Sequence, residues 1–275
     1  QHIFILEFCK KSDFQFEVSS NMIPKIIHYC WFGRNPLPPL ALKCIESWKK
    51  FFPDYEVKEW NEDNFNINII PYTREAYEAK KYAFVSDYAR FYILYHYGGL
   101  YFDTDVEVIK PMDDIIECGA FMGCESSVES GKAAMLTVNP GLGLGCQSGN
   151  ELYAEILYLY AGLHFLRMNG GLKTVVSYTT ELLITKGLKN IDGIQHIADI
   201  WIYPQDYFCP IDYNTKLCII TQNTRSIHHF AESWHGSKEK IYKILTRIFG
   251  KTFIKFGLRI LQKYDFFQIA IKLQK

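Results

Sequence analysis

No stretch of this chain of 275 residues approaches about 18 uninterrupted apolar residues, so no segment reads as a membrane-spanning helix. Nor is there an excess of either charge. Thirty Lys and Arg balance thirty Asp and Glu, which argues against a wholly basic nucleic-acid binder, and no nucleic-acid partner is expected. The eight cysteines form no CxxC pair and show no repeated spacing, in a chain too large to need staples, so we expect reduced thiols in a cytosolic protein. Internal repeats and low-complexity tracts are missing as well, which removes repeat architectures. With 48% hydrophobic and 22% charged residues, the composition excludes disorder, a peptide hormone and a disulfide-held mini-protein.

What is present fits one large α/β domain or two small ones, at roughly 150 residues per domain. Aromatics reach 16%, enough to serve both a core and flat ligand surfaces. The neutral total hides a segregation: from Lys238 to Lys275 ten Lys and Arg face only Glu239 and Asp265, a net +8 against −8 on residues 1–237. Within that tail Lys243, Arg247, Lys251, Lys255, Arg259 and Lys263 recur every fourth residue beside Ile244, Ile248, Phe256 and Ile260. We read residues 237–275 as a basic amphipathic helical tail on an anionic membrane surface, with docking on protein as the competing reading. At the other end, residues 1–21 contain no Met, Met22 directly precedes the first strand-like run, and Ile3–Phe8 lacks the basic flank and cleavage site of a signal peptide. Residues 1–21 are expected to be a non-native or disordered leader and 22–236 one domain.

Periodicity and punctuation divide that domain. Lys25–Trp31 and Tyr55–Trp60 read as strands, Pro39–Phe51, Thr73–Lys81 and Ala83–Tyr97 as helices, the last stopped by Gly98-Gly99, and Leu100–Asp103 as a strand. Further on, Ala120–Glu125, Leu142–Gln147, Ile194–Ile202, Leu217–Thr221 and Ser226–His229 read as strands and Glu151–Ala161 as a helix. Such alternation predicts an α/β fold.

The sharpest local feature is Asp103-Thr104-Asp105 at the end of a strand. Two carboxylates one residue apart on extended backbone share a side, where one hard cation can meet both. Upstream, Phe84, Tyr88, Phe91, Leu94 and Tyr95 form the buried face of a helix that presents Asp87 and Arg90 on another face, three residues apart. Downstream, His228 and His229 leave a strand ahead of Ser233 and Trp234. Neighbouring residues on a strand face opposite ways, so one imidazole at most is a third metal ligand. A haloacid-dehalogenase-type phosphatase would need Thr where Glu107 stands, and an EF-hand would need Gly where Val108 stands.

The blocks IPKIIHYCWFG (23–33), YAFVSDYARFYILYHYGGLYFDTDVEV (82–108) and IHHFAESW (227–234), in that order, resemble the DXD-containing glycosyltransferases of family 32, related to yeast initiating mannosyltransferases and bacterial capsular-polysaccharide transferases. The resemblance spans residues 22–236. It implies a GT-A-type fold, a Rossmann-like mixed sheet with flanking helices, and a UDP- or GDP-sugar donor with Mn2+ or Mg2+. It also implies retaining transfer of a hexose-type sugar to a glycan or lipid-linked acceptor, in surface or capsular polysaccharide synthesis at the inner face of the cell membrane. Residue by residue, it implies that Asp103 and Asp105 are the DXD carboxylates and metal ligands, with His228 the third ligand and His229 the fallback. Trp31 would stack on the donor base, Asp87 and Arg90 hold sugar hydroxyls, Tyr101 line the donor pocket, Ser233 and Trp234 close over the diphosphate, and Asn139 face the reaction centre. The other class of reading, a non-catalytic nucleotide-sugar or membrane-surface binding module, is disfavoured by the intact pair of carboxylates.

Overall fold

After Pro24, the β-branched and aromatic run Ile26–Cys30 (β1) is buried along most of its length and divides its side chains by the period of two. Ile27 and Tyr29 enter one apolar cluster, Cys30 the other. The computed structural model describes residues 22–126, 135–165, 173–212 and 217–231. These all fall in the first of two units, Gln1–Ala231 and Glu232–Lys275. The leader over 1–21, Ser233, Trp234 and the basic tail lie outside the described residues.

β1 pairs in parallel with Glu56–Trp60 (β2) on one side and Gly99–Tyr101 (β3) on the other. The sheet has seven strands in the order β2-β1-β3-β6-β5-β8-β7, where β5 is Phe121–Gly123, β6 Leu144–Cys146, β7 Gln195–Ile197 and β8 Ile200–Tyr203. β6 and β7 run against the rest. A separate antiparallel ribbon joins Val106–Val108 (β4) to Ser226–His228 (β9).

Helices cover both faces, as an α/β sheet buried on both sides requires. On one face, Pro39–Phe51 (α1) contributes Cys44 and Trp48 and Gln205–Phe208 (α7) contributes Tyr207 and Phe208, with Asp113–Ile116 (α4) beside them. On the other, Pro71–Glu78 (α2), Tyr82–Tyr97 (α3), Glu151–Ala161 (α5) and Val175–Thr185 (α6) pack Tyr72, Phe84, Phe91, Tyr153, Tyr160 and Leu183 together. This is the mixed sheet with flanking helices expected of the GT-A fold. No helix of the described residues is long and apolar enough to cross a membrane.

Several local expectations need correction. Ile194–Ile202 is not one strand: Ala198 and Asp199 take φ of +50° and +57°, a tight turn that folds the run into the β7–β8 hairpin. Leu217–Thr221 makes only an isolated bridge, Cys218 to Ile211, and exposes its apolar side chains instead of pairing in a sheet. α3 is buried on more than one face, Asp87 and Arg90 included, because α2, α5 and the sheet enclose it. Tyr95, placed on its buried face, is only partly covered. Cys30, Cys44, Cys124, Cys146, Cys209 and Cys218 are free thiols as expected, whereas half-buried Cys118 is disulfide-bonded.

Candidate active site

Two glycines set the geometry. Gly98, whose N–H bonds the Leu94 carbonyl, ends α3, and Gly99 begins β3 with no spacer between them. Their φ values of +63° and +101° suit residues without a side chain. A Cβ on Gly99 would lie 2.6 Å from the Ile26 carbonyl oxygen. His28 braces this joint from β1: its Nε2–H donates to the Gly98 carbonyl at 3.0 Å while Nδ1 accepts from the Trp60 indole at 3.0 Å. Burial pushes that imidazole down to about 4.

β3 stops at Tyr101, two residues short of its expected end, and Asp103-Thr104-Asp105 occupies a turn closed by Val106 N–H to the Asp103 carbonyl at 3.0 Å. The two carboxylates therefore converge through a turn, not through strand periodicity. Neither is the exposed strand-end group the motif alone implies: the Asp103 and Asp105 side chains are 28% and 16% exposed.

On the α3 side, Arg90 reaches Asp103 at 3.2 Å and Asp87 at 3.1 Å, its own side chain 4% exposed. The guanidinium lies over the Tyr101 ring, 5.0 Å from its centroid, and the Tyr101 hydroxyl donates to Asp103 at 3.0 Å. Burial pushes Asp87 up to about 7, with Arg90 opposing and Asp103 adding. Asp103 is also raised, by burial first, with Arg90 opposing and Asp105 adding. An exposed helix pair would be worth a few tenths of a kcal/mol; this buried one is an obligate network, since removing either partner strands a charge.

On the ribbon side, the β4–β9 register sets His228 opposite Val106, next to Asp105. His228 Nε2 lies 3.2 Å from Asp105 Oδ1, and Ala231 N–H donates to Asp105 Oδ2 at 2.8 Å. Burial raises Asp105, but the His228 ring and these hydrogen bonds outweigh it and hold the carboxyl at about 2. Burial likewise works against a charged His228, yet Asp105 carries that ring up to about 10. α1 anchors the ribbon, the Trp48 indole donating to the Val106 carbonyl at 2.7 Å.

Asn139, next after the isolated Cys124–Val138 bridge, is buried and accepts the Gly141 N–H at 2.7 Å on the Asp103 side of the motif. Gly141 lies so close that a Cβ would fall 2.2 Å from Asp103 Oδ2. Gly141 and the Asn139 partner Glu125 were missed in the sequence. The glycine had a signal in the dense run Asn139-Pro140-Gly141-Leu142-Gly143, whereas Glu125 has no local pattern. Trp31 follows β1 and is half-buried, its indole donating to the Asn35 carbonyl at 2.6 Å. His229 turns the other way from His228 and meets Glu107 at 2.8 Å, which also holds Lys43 at 2.8 Å.

Asp103, Asp105 and His228 each offer a ligand atom within 4.8 Å of the others, a separation one coordination sphere can bridge. Two carboxylate oxygens and an imidazole suit Mn2+ or a similar ion, and His228 Nδ1 is buried without a hydrogen-bond partner. The residues present fit a divalent cation. Residues 38–121, which contain the motif, match the family described as glycosyltransferase sugar-binding region containing DXD motif. Over that stretch, which includes Asp103 and Asp105, the chain is similar to the DXD-motif glycosyltransferases. Among the curated proteins it resembles, inositol phosphoceramide mannosyltransferase 3 of Schizosaccharomyces pombe is 32% identical over 113 residues, 38% of this chain and 32% of its own length. A glycosyltransferase of Acanthamoeba polyphaga mimivirus is 29% identical over 233 residues, 81% of this chain and 88% of its own. The chain spans about a third of the length of the S. pombe mannosyltransferase 3 and of inositol phosphoceramide mannosyltransferase 1 of the same yeast. Among solved structures, the PaToxG glycosyltransferase has a TM-score of 0.47 at 17% identity, covering 68% of this chain and 78% of that one.

Proposed function

We propose that this chain transfers a hexose-type sugar, with retention of configuration, from a nucleotide-diphosphate donor to a glycan or lipid-linked acceptor. The observation that carries the reading is the convergence of Asp103, Asp105 and His228 within 4.8 Å, beside the buried Asp87–Arg90 pair. Mannose is the first sugar to test and a lipid-linked acceptor the first acceptor, because S. pombe and Saccharomyces cerevisiae relatives are named for mannosyl transfer to, or synthesis of mannosyl, inositol phosphoceramides. A Mn2+ or Mg2+ ion held by these three side chains would neutralise charge on the departing diphosphate.

The chain's own residues do the rest. Arg90 and Tyr101 keep Asp103 aimed at the donor, Asp87 and Arg90 meet sugar hydroxyls, and Trp31 stacks on the base. Ser233 and Trp234 close on the diphosphate. Asp87, Asp103 and Asp105 are each tied to a partner, and Glu125 to Asn139, so we favour attack from the face the diphosphate leaves over a covalent intermediate. The acceptor oxygen bonds the anomeric carbon, the bond from that carbon to phosphate oxygen breaks, and a donor phosphate oxygen takes the acceptor proton.

The experiment is nucleotide release from a panel of UDP- and GDP-sugars with Mn2+ or Mg2+ and without either ion, with and without lipid-linked acceptor. Ion-dependent turnover with one donor is expected; silence across the panel would leave the non-catalytic binding module. Run with anionic liposomes, on full-length protein and on protein truncated after Gly236, the same assay tests the remaining proposal, that the basic tail holds the enzyme at the inner membrane face for surface or capsular polysaccharide synthesis. Equal liposome binding by both forms would discard the tail as anchor.

A further inference from the structure

Glu125 closes a chain of contacts that ends on Asp103. It stands two residues beyond β5, and its N–H donates to the Thr137 carbonyl at 2.9 Å. Its Oε2 accepts from Asn139 Nδ2 at 2.8 Å. At the other end of the same amide, Oδ1 accepts the Gly141 N–H at 2.7 Å. The two flanking groups determine which end of the amide is oxygen. Flipped, the amide would set its NH2 against the Gly141 N–H and its oxygen against the Glu125 carboxylate. Asn139 is therefore clamped, with one N–H still free to donate.

The clamp is coupled to the acidic motif through Gly141. A Cβ there would meet Asp103 Oδ2 at 2.2 Å, Asn139 Oδ1 at 3.0 Å and Arg90 Nη1 at 3.2 Å. The Asp103 N–H also approaches the Gly141 carbonyl, at 3.3 Å. A shift of the Asn139 side chain moves the Gly141 backbone and, with it, the packing against Asp103 and Arg90.

Resting on the reading of this site as a glycosyl-transfer centre, we propose that Glu125 is a positioning residue: it holds the Asn139 amide in one orientation, so that a single N–H faces the substrate and Gly141 stays seated against Asp103. Glu125 acts by accepting a hydrogen bond, not by its charge. That distinction separates it from a carboxylate whose field serves His228 or a bound cation.

Two substitutions and one background test it. Glu125→Ala removes the acceptor and should lower kcat about tenfold or more, as loss of outer partners of a site does, with KM for the donor little changed. Glu125→Gln keeps a carbonyl oxygen for Asn139 Nδ2 and should recover most of that loss. In an Asn139→Ala background, Glu125→Ala should cost nothing further. Equal damage from Ala and Gln, a loss confined to KM, or the same cost in both backgrounds would overturn the proposal. A second readout does not depend on turnover: the NMR signal of the Asn139 side-chain amide should show a slowly exchanging N–H in wild type and in Glu125→Gln, and lose that protection in Glu125→Ala. Unchanged protection in Glu125→Ala sinks the clamp, whereas a wild-type enzyme silent toward every donor sinks the functional reading instead.

Discussion

On the α3 side of the site, Asp103 is held by groups that keep their state across the working pH range, the Arg90 guanidinium and the Tyr101 hydroxyl, both buried. On the ribbon side, Asp105 is held by an imidazole and a backbone N–H. The first side is permanently assembled, because its network would strand buried charges if any member left. The second can exchange partners, since an imidazole that gives up its proton becomes a metal ligand without moving far. One motif thus joins a structural carboxylate to an exchangeable one, and variants on the two sides should fail differently.

The largest effect is expected for Arg90→Ala. Asp87 and Asp103 would lose their shared cation in a buried setting, at a cost of about 3–5 kcal/mol in stability, read as a Tm lowered by roughly 10 °C together with weakened donor binding. A variant that melts like wild type would mean that the α3 side is not the assembled half. Next comes Asp105→Asn, which keeps an oxygen to accept the Ala231 N–H. Turnover should fall about a hundredfold or more while Tm moves little; retention of more than a tenth of wild-type turnover would remove Asp105 from the ligand set. The smallest effect concerns His28, the brace under the assembled half. Its folded value of about 4 lies below the ordinary 6.5, so its stabilisation is fully present above pH 6.5 and is lost as pH falls toward 4. Between pH 7 and pH 5.5 this amounts to about 1 kcal/mol. A His28→Gln protein, less stable at pH 7, should show a flatter stability profile over that window, and parallel profiles would show that another group titrates.

The same two sides differ in how far they can be read from residues alone. α1 and α5 have their predicted bounds, and α3 ends at its predicted glycine stop and begins one residue earlier than expected, because each announces itself through spacing and end signals. The Asp87–Arg90 spacing was visible but its burial was not, since enclosure by α2 and α5 is a property of the whole fold. α6 escaped notice because its sequence VVSYTTELLIT is rich in β-branched residues with weak helix preference, overridden by packing of Tyr178 and Leu183. The β7–β8 hairpin turns on Ala198 and Asp199, which lack the usual glycine signature. His228 and Asp105 lie far apart in sequence, and only the β4–β9 register brings them together. Without that register, His228 and His229 can be ranked only by resemblance. Glu125, likewise, means nothing without Asn139 beside it.

The spacer-free joint at Gly98-Gly99 has a mechanical consequence. Where a helix and the strand after it are separated by a loop, the loop is a hinge, and side chains on the two elements can drift apart by rotation. Here the arginine-bearing helix and the strand leading into the acidic turn are cast as one piece, with His28 gripping the seam and the Ile26 carbonyl filling the space where a side chain would loosen it. The Arg90-to-Asp103 distance is in effect a manufactured tolerance rather than an adjustable gap. Substrate-driven accommodation on that side must carry helix and strand together, at the expense of core contacts.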